Sequence, residues 1–188
     1  MKILKVVFIV VGVLVAALVG GEILENLQTK GYFGPNKLGV EKKYLGVALG
    51  GTRQDVLFAL GKPTNEIQTA NGDNCLIFWI KNGDGVGVAK LVIIGKSDGV
   101  VKGVEMSASK NARNELSPLK WIDSEITPEE LVARLGEPDA KKIIDDGVSQ
   151  VYRYNKYNLA IGFEQKRVYS IGITELPVWP IGVLNWDY

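Results

Sequence analysis

The residues in this chain that could do chemistry are mostly carboxylates. Asp55, Asp73, Asp84, Asp98, Asp123, Asp145 and Asp146 are available for general acid and base work, and Glu129 stands beside Glu130. Their surroundings argue against that role. Almost all the aspartates stand in turn-forming sequence or just ahead of an apolar helical run, where a short carboxylate serves the local backbone. Glu129 and Glu130 follow Thr127-Pro128 at the start of such a run, and negative charge there suits the positive end of a helix. The chain has no histidine, which removes the commonest general base and metal ligand. Its one cysteine, Cys75, allows no internal disulfide and no thiolate cluster, and its apolar neighbours make it a buried structural thiol. There is no Ser-His, Cys-His or metal-ligand spacing. Gly83-x-Gly85-x-Gly87 leads into a strand rather than a helix, so it reads as a hairpin and not as a phosphate cradle. The sequence therefore predicts no catalytic residue, no metal, no cofactor and no enzymatic activity.

Charge narrows the partners. The 188 residues carry 22 Lys and Arg against 21 Asp and Glu, a formal net charge of +1. Without a basic field, nucleic acid is not an expected partner.

The organising element is a short motif that occurs twice. Gly51 to Thr64 and Ile126 to Asp139 align at an offset of 75 positions, matching Thr52 with Thr127, Val56 with Leu131, Leu60 with Leu135, Gly61 with Gly136 and Pro63 with Pro138. Each copy reads as a helix with a Thr N-cap, an apolar stripe and a Gly-x-Pro stop. The stripe is Val56, Leu57 and Leu60 in the first copy and Leu131, Val132 and Leu135 in the second. Thr127 and Glu130 complete a capping box. Three strands are expected after each helix. They are 75–80, 86–94 and 100–106 in the first half and 149–156, 158–164 and 167–174 in the second. The polar positions Arg53, Gln54 and Asp55 become Pro128, Glu129 and Glu130, so the motif is architecture rather than a site.

The N-terminal segment has a different character. Lys2 and Lys5 precede an apolar run from Val6 to Gly21, 16 residues long. As a helix this spans about 24 Å, against a hydrocarbon core of about 30 Å. Between Val6 and Val19 lie eleven Val, Ile, Leu or Phe residues, which favour insertion by about 3 to 6 kcal/mol. A retained anchor and a cleaved signal peptide are both open readings, and both export the remainder. The anchor is the primary expectation: one transmembrane helix in the inner membrane, the bilayer met through residues 6–24, and the folded part in the periplasm. The alternative is a periplasmic or secreted protein after cleavage. Lys5, Tyr32 and Phe33 are the expected membrane-interface residues.

Five regions follow: 1–30, anchor or signal and its helical extension; 31–44, a linker; 45–119, a first helix-plus-sheet repeat with its connection; 120–175, a second; and 176–188, a tail with Trp179 and Trp186. The partner-binding candidates are Trp79, Tyr152, Tyr154, Trp179 and Trp186, since Trp and Tyr dominate binding hot spots. For the strand aromatics, alternation alone does not say which sheet face is buried.

A helix closing in Leu60-Gly61-Lys62-Pro63, or Leu135-Gly136-Glu137-Pro138, then a turn, then a strand with aromatics at alternate positions, resembles the SmpA/OmlA (BamE-like) domain family. The tandem arrangement at a period of 75 is similar to that of β-lactamase inhibitory protein. Residues 45–106 and 121–174 carry the resemblance. The lipidated cysteine of the lipoprotein members has no counterpart here. The resemblance implies an α+β fold of two tandem helix-plus-antiparallel-sheet repeats, and non-catalytic binding of other proteins through sheet faces and loops. The expected function is an exported, membrane-anchored interaction module, an accessory or assembly subunit of a cell-envelope complex whose partners are other envelope or membrane proteins. The alternative is a secreted proteinaceous inhibitor of a periplasmic or extracellular hydrolase.

Overall fold

The computed structural model describes residues 39–80, 87–144 and 148–176. The chain divides into two units, 1–37 and 38–188, and all the described residues fall in the second. The expected anchor, Lys5, Tyr32, Phe33, Trp179, Trp186 and the turns around Asp84 and Asp145-Asp146 lie outside the described residues.

Two short helices begin and end where their side chains require. Helix α1 spans Arg53–Leu60 and α2 spans Pro128–Leu135. The Thr52 hydroxyl accepts from the Asp55 backbone N–H at 3.3 Å, and the Asp55 carboxylate accepts from the Thr52 N–H at 2.8 Å. Thr127 and Glu130 do the same for α2, at 3.2 and 3.0 Å. Such reciprocal caps satisfy N–H groups that a helix start leaves orphaned. Gly61 and Gly136 end the helices at φ +80° and +84°, which only glycine adopts without strain.

The strands are β1 (Lys43–Tyr44), β2 (Val47–Ala48), β3 (Asn65–Gln68), β4 (Asn74–Ile80), β5 (Val88–Ile94), β6 (Val101–Ala108), β7 (Ala140–Ile144), β8 (Ser149–Tyr154), β9 (Leu159–Glu164) and β10 (Arg167–Thr174). β1 and β2 form a small separate hairpin. The other eight form one antiparallel sheet in the order β3-β4-β5-β6-β10-β9-β8-β7.

This corrects the expected fold. The described chain does not build two separate helix-plus-sheet repeats. It builds a single eight-stranded sheet, because β6 and β10 pair at its centre with Ser170 opposite Ser107, Gly172 opposite Glu105 and Ile173 opposite Val104. Two separate sheets would leave both strands as open edges, whose unpaired backbone groups are a liability; pairing them removes both edges. Among the described residues no helix is long and apolar enough to cross a membrane. Each eight-residue helix is only about 12 Å long. No described helix supports the expected single-pass inner-membrane placement, and residues 6–24, which carried it, lie outside the described residues.

The core lies mainly on one sheet face. Val56 of α1 and Leu131 of α2 pack there with Leu76, Val92, Ile161 and Ile173. The connection from β6 to α2 packs there too, through Leu116, Trp121, Ile122 and Ile126, after a 3-10 helix at Lys110–Glu115. The first helix is tied down by backbone bonds to β6: Gly50 N–H donates to Val101 O at 2.8 Å, and Val101 N–H to Gly51 O at 2.7 Å. A second, smaller cluster occupies the opposite face: Cys75, Ile77, Ala89, Leu91, Ile93 and Ala160.

Candidate protein-interaction surface

The described carboxylates that might have done chemistry serve helix caps, turns and surface ion pairs. Asp55 caps α1, and its hydrogen bonds from Thr52 hold its pKa below the ordinary range. Asp73 accepts from Lys96 N–H at 2.9 Å, Asp123 from Glu125 N–H at 3.0 Å and Asp139 from Asn155 N–H at 2.6 Å. Asp98 pairs with Lys102 at 2.6 Å, which lowers its pKa. Glu129 meets Lys166 at 2.8 Å, linking α2 to the β9–β10 turn, and its pKa is lowered by that bond. Among the described residues no group of three or more His, Cys, Asp or Glu could hold a metal ion.

Three buried ionisable groups, Glu105, Cys75 and Arg153, point away from the main core. Strand alternation sends Val104 and Met106 into the main core and Glu105 and Ser107 the other way. Glu105 is buried, and the Ser107 hydroxyl donates to its carboxylate at 2.5 Å. Burial raises the Glu105 pKa to about 7, against the opposing pull of the Ser107 and Ser170 hydroxyls. Burial likewise pushes the Cys75 thiol up to about 12, with the Glu105 charge adding to it, so this thiol is not an activated nucleophile. Arg153 is also buried. Its guanidinium donates to four carbonyls: Thr174 O at 2.5 Å, Leu159 O at 3.0 Å, Leu176 O at 3.3 Å and Tyr154 O at 3.4 Å. Desolvation lowers the Arg153 pKa. These groups fix strand ends and the chain path, and none of them faces an open surface.

Among the described residues the large apolar side chains that face solvent are Val40, Phe58, Ile80, Ile143 and Val148. Phe58 is 95% exposed at the middle of α1, although Val56, two residues earlier, is fully buried. Ile143 on β7 is 61% exposed, and Val148 beside that edge is also exposed. Phe58 sits on a rigid mount. Its helix is capped at both ends, buried through Val56, and braced to β3 by a two-pronged ion pair, Arg53 Nη1 to Glu66 Oε1 at 2.7 Å and Nη2 to Oε2 at 2.9 Å.

The aromatic candidates from the sequence are dispersed. Tyr152 and Tyr154 are 5% and 2% exposed in the main core. Tyr152 stacks edge-on against Phe163, and the Tyr154 hydroxyl donates to Gly136 O at 3.1 Å. Their rings serve packing and a helix end. Trp79 is half-buried against the second-face cluster. The structure brings none of these three together as one surface. The stripe Val56, Leu57, Leu60 accounts for the helix without Phe58. The signal was present in Val56-Leu57-Phe58: at about 100° per residue, three consecutive apolar residues cannot all face one core.

No family model matches the chain, and no curated protein does. The SmpA/OmlA assignment is therefore corrected: a five-residue stripe-and-stop motif recurs wherever a short helix is capped and terminated. Partial matches are found among solved structures. A DUF4309 family protein (YjgB) from Bacillus subtilis matches with TM-score 0.46 and 15% identity over 80% of this chain and 92% of that one. A cysteine-rich secretory protein (SAV1118) from Staphylococcus aureus matches with TM-score 0.43 and 15% identity over 74% of this chain and 48% of that one. A putative β-lactamase inhibitor protein from Streptococcus mutans matches with TM-score 0.27 and 16% identity over 77% of this chain and 93% of that one.

Proposed function

We propose that this chain is a non-catalytic protein-binding module that works outside the cytoplasm, and in its finer form a proteinaceous inhibitor of a hydrolase. Phe58 carries the reading. An aromatic ring almost wholly in water does nothing for the core, and here it projects from a doubly capped, braced helix. A ring held that way loses little freedom on entering a partner's apolar pocket, which is how preorganised binders gain affinity. Hydrolase clefts are concave and largely apolar, so they suit such a ring. The lysine-led apolar run at 2–19 supports export. The carboxylates' backbone roles support a non-catalytic chain.

The test is titration of the purified chain into secreted serine hydrolases, β-lactamases and peptidases, with chromogenic substrates. Stoichiometric inhibition of at least one enzyme, weakened roughly 30-fold by Phe58→Ala (about 2 kcal/mol), is the expected result. Full activity of every hydrolase at excess chain, or turnover of any substrate by the chain itself, would count against the proposal.

A further inference from the structure

The described sheet ends on β7, and two lysines stand side by side on that edge. Ala140, Lys141, Lys142 and Ile143 are all exposed, whereas the neighbouring β8 is almost wholly buried. Among the described strands β7 pairs with β8 alone, Lys141 opposite Tyr152 and Lys142 opposite Val151. An antiparallel strand bonded on one side turns alternate N–H and C=O groups outward, where a further strand can pair with them. Alternation sends Lys141 and Ile143 to the core side of the edge and Lys142 to the other. The Lys141 ammonium lies over the Tyr152 ring, 4.9 Å from its centroid. Neither lysine is ion-paired among the described residues. Glu129, whose pKa the Lys141 charge helps to lower, is taken by Lys166. At the opposite margin, Glu66 of β3 is already held by both prongs of Arg53.

We propose that the β7 edge receives an extended acidic segment of another protein, added antiparallel as a further strand, with two carboxylates set against Lys141 and Lys142 and an apolar side chain against Ile143. Opposite charges directly across a strand pair attract and like charges repel. The same two lysines therefore turn away a second copy: two β7 strands pairing antiparallel about their centre would set Lys142 against Lys142. Main-chain bonds give such a contact its affinity, and the alternate side chains give it its choice of partner. Ile143, 61% exposed, adds apolar burial when the strand arrives. The next charges along the chain are acidic, Asp139 before the strand and Asp145 after it. The positive charge is thus confined to two positions and selects at those two. Asp139 is itself occupied, accepting from Asn155 N–H at 2.6 Å. This edge is separate from Phe58, whose helix is braced to β3 at the far margin of the sheet. The chain then holds two contacts of different chemistry, one an aromatic ring and one a basic strand edge.

The test is a nuclear magnetic resonance titration of the isotope-labelled full chain with the capped peptide Thr-Val-Glu-Glu-Val-Thr, and with Thr-Val-Lys-Lys-Val-Thr as its charge-reversed counterpart. Saturable shifts of the Lys141 to Ile144 backbone amides with the glutamate peptide, and binding at least tenfold weaker with the lysine peptide, are the expected result. The variant Lys141→Glu/Lys142→Glu should reverse that order, and Lys141→Gln/Lys142→Gln, which removes the charge alone, should bind both peptides equally and weakly. Equal binding of the two peptides by the parent chain, or shifts confined to other strands, overturns the proposal. So do β7 shifts that grow with chain concentration in the absence of peptide, since a second copy then takes the edge. Hydrogen exchange of the free chain gives an independent reading: alternate β7 amides should exchange at least tenfold faster than those of β9. Protection of every β7 amide at the level of β9 means that the edge is already occupied, and it overturns the proposal as well.

Discussion

Val56 and Phe58 stand two residues apart on one helix and meet opposite environments: the Val56 side chain is sealed in the core, and the Phe58 ring is 95% exposed. Two residues are about 200° of helical turn, so one cannot be buried without turning the other outward. The same geometry that docks α1 on the sheet therefore presents the ring.

This contrast predicts two unlike mutational costs. Val56→Ala should destabilise the fold by about 2 kcal/mol, through lost burial and the cavity left behind. Phe58→Ala should change stability by no more than about 0.5 kcal/mol. Urea unfolding of both variants checks this, and a Phe58→Ala loss matching that of Val56→Ala would show that the ring packs after all.

Glu105 gives the fold a pH dependence of known sign. Its pKa is raised in the folded protein, from an ordinary 4.5 to about 7, mainly by burial. Between those values the folded state holds a proton that the unfolded chain has released, so stability falls as pH rises from about 4.5 toward 7. The slope from this one group is at most about 1.4 kcal/mol per pH unit. Glu105→Gln, which keeps the shape without the charge, should flatten the slope and be more stable than the parent at pH 8. Melting temperatures of parent and variant from pH 4.5 to 8 test it; parallel profiles would show that Glu105 titrates normally.

Arg153 should prove structural. Removing it leaves the carbonyls of Leu159, Thr174 and Leu176 without their buried donor. Arg153→Met is expected to cost about 2 to 4 kcal/mol, more than a single neutral hydrogen bond is worth. Hydrogen exchange should show the loss at the end of β10 first, at Thr174 and Leu176. Uniform exchange throughout the sheet would place its role elsewhere.

The helix caps make a smaller prediction. Thr52→Ala and Thr127→Ala should each cost about 1 kcal/mol, and Thr→Ser at either site should recover most of it, because the accepting hydroxyl remains. Denaturant midpoints of the four variants decide the matter, and equal losses for Ser and Ala would rule out capping as the cause.

How far the sequence revealed this molecule depends on where each signal resides. The helices were legible because Thr52, Gly61, Thr127 and Gly136 write their own ends locally. The six apolar strands were legible from β-branched and aromatic residues. β3 and β7 were not: NEIQ and AKKII are exposed edge strands whose polar and lysine residues blunt the sheet's margins, so neither carries an apolar alternation. The pairing of β6 with β10 was illegible for another reason. It joins residues more than 60 positions apart, and no local pattern encodes which edges meet. That one pairing merges the halves into a single sheet. Tyr152 and Tyr154 show the limit of alternation: period two places both rings on one face, but only the packed helices decide that this face is the core. Of the candidate site, Phe58 could have been read from the excess of apolar residues in Val56-Leu57-Phe58, whereas strand pattern does not foretell the burial of Glu105.

The central claim is that Phe58 binds a folded hydrolase, and the most direct measurement is analytical ultracentrifugation of the chain mixed with an enzyme it inhibits. A 1:1 complex with the parent chain, and two separately sedimenting species with Phe58→Lys of parental melting temperature, is the predicted result. A complex formed equally well by Phe58→Lys would contradict it.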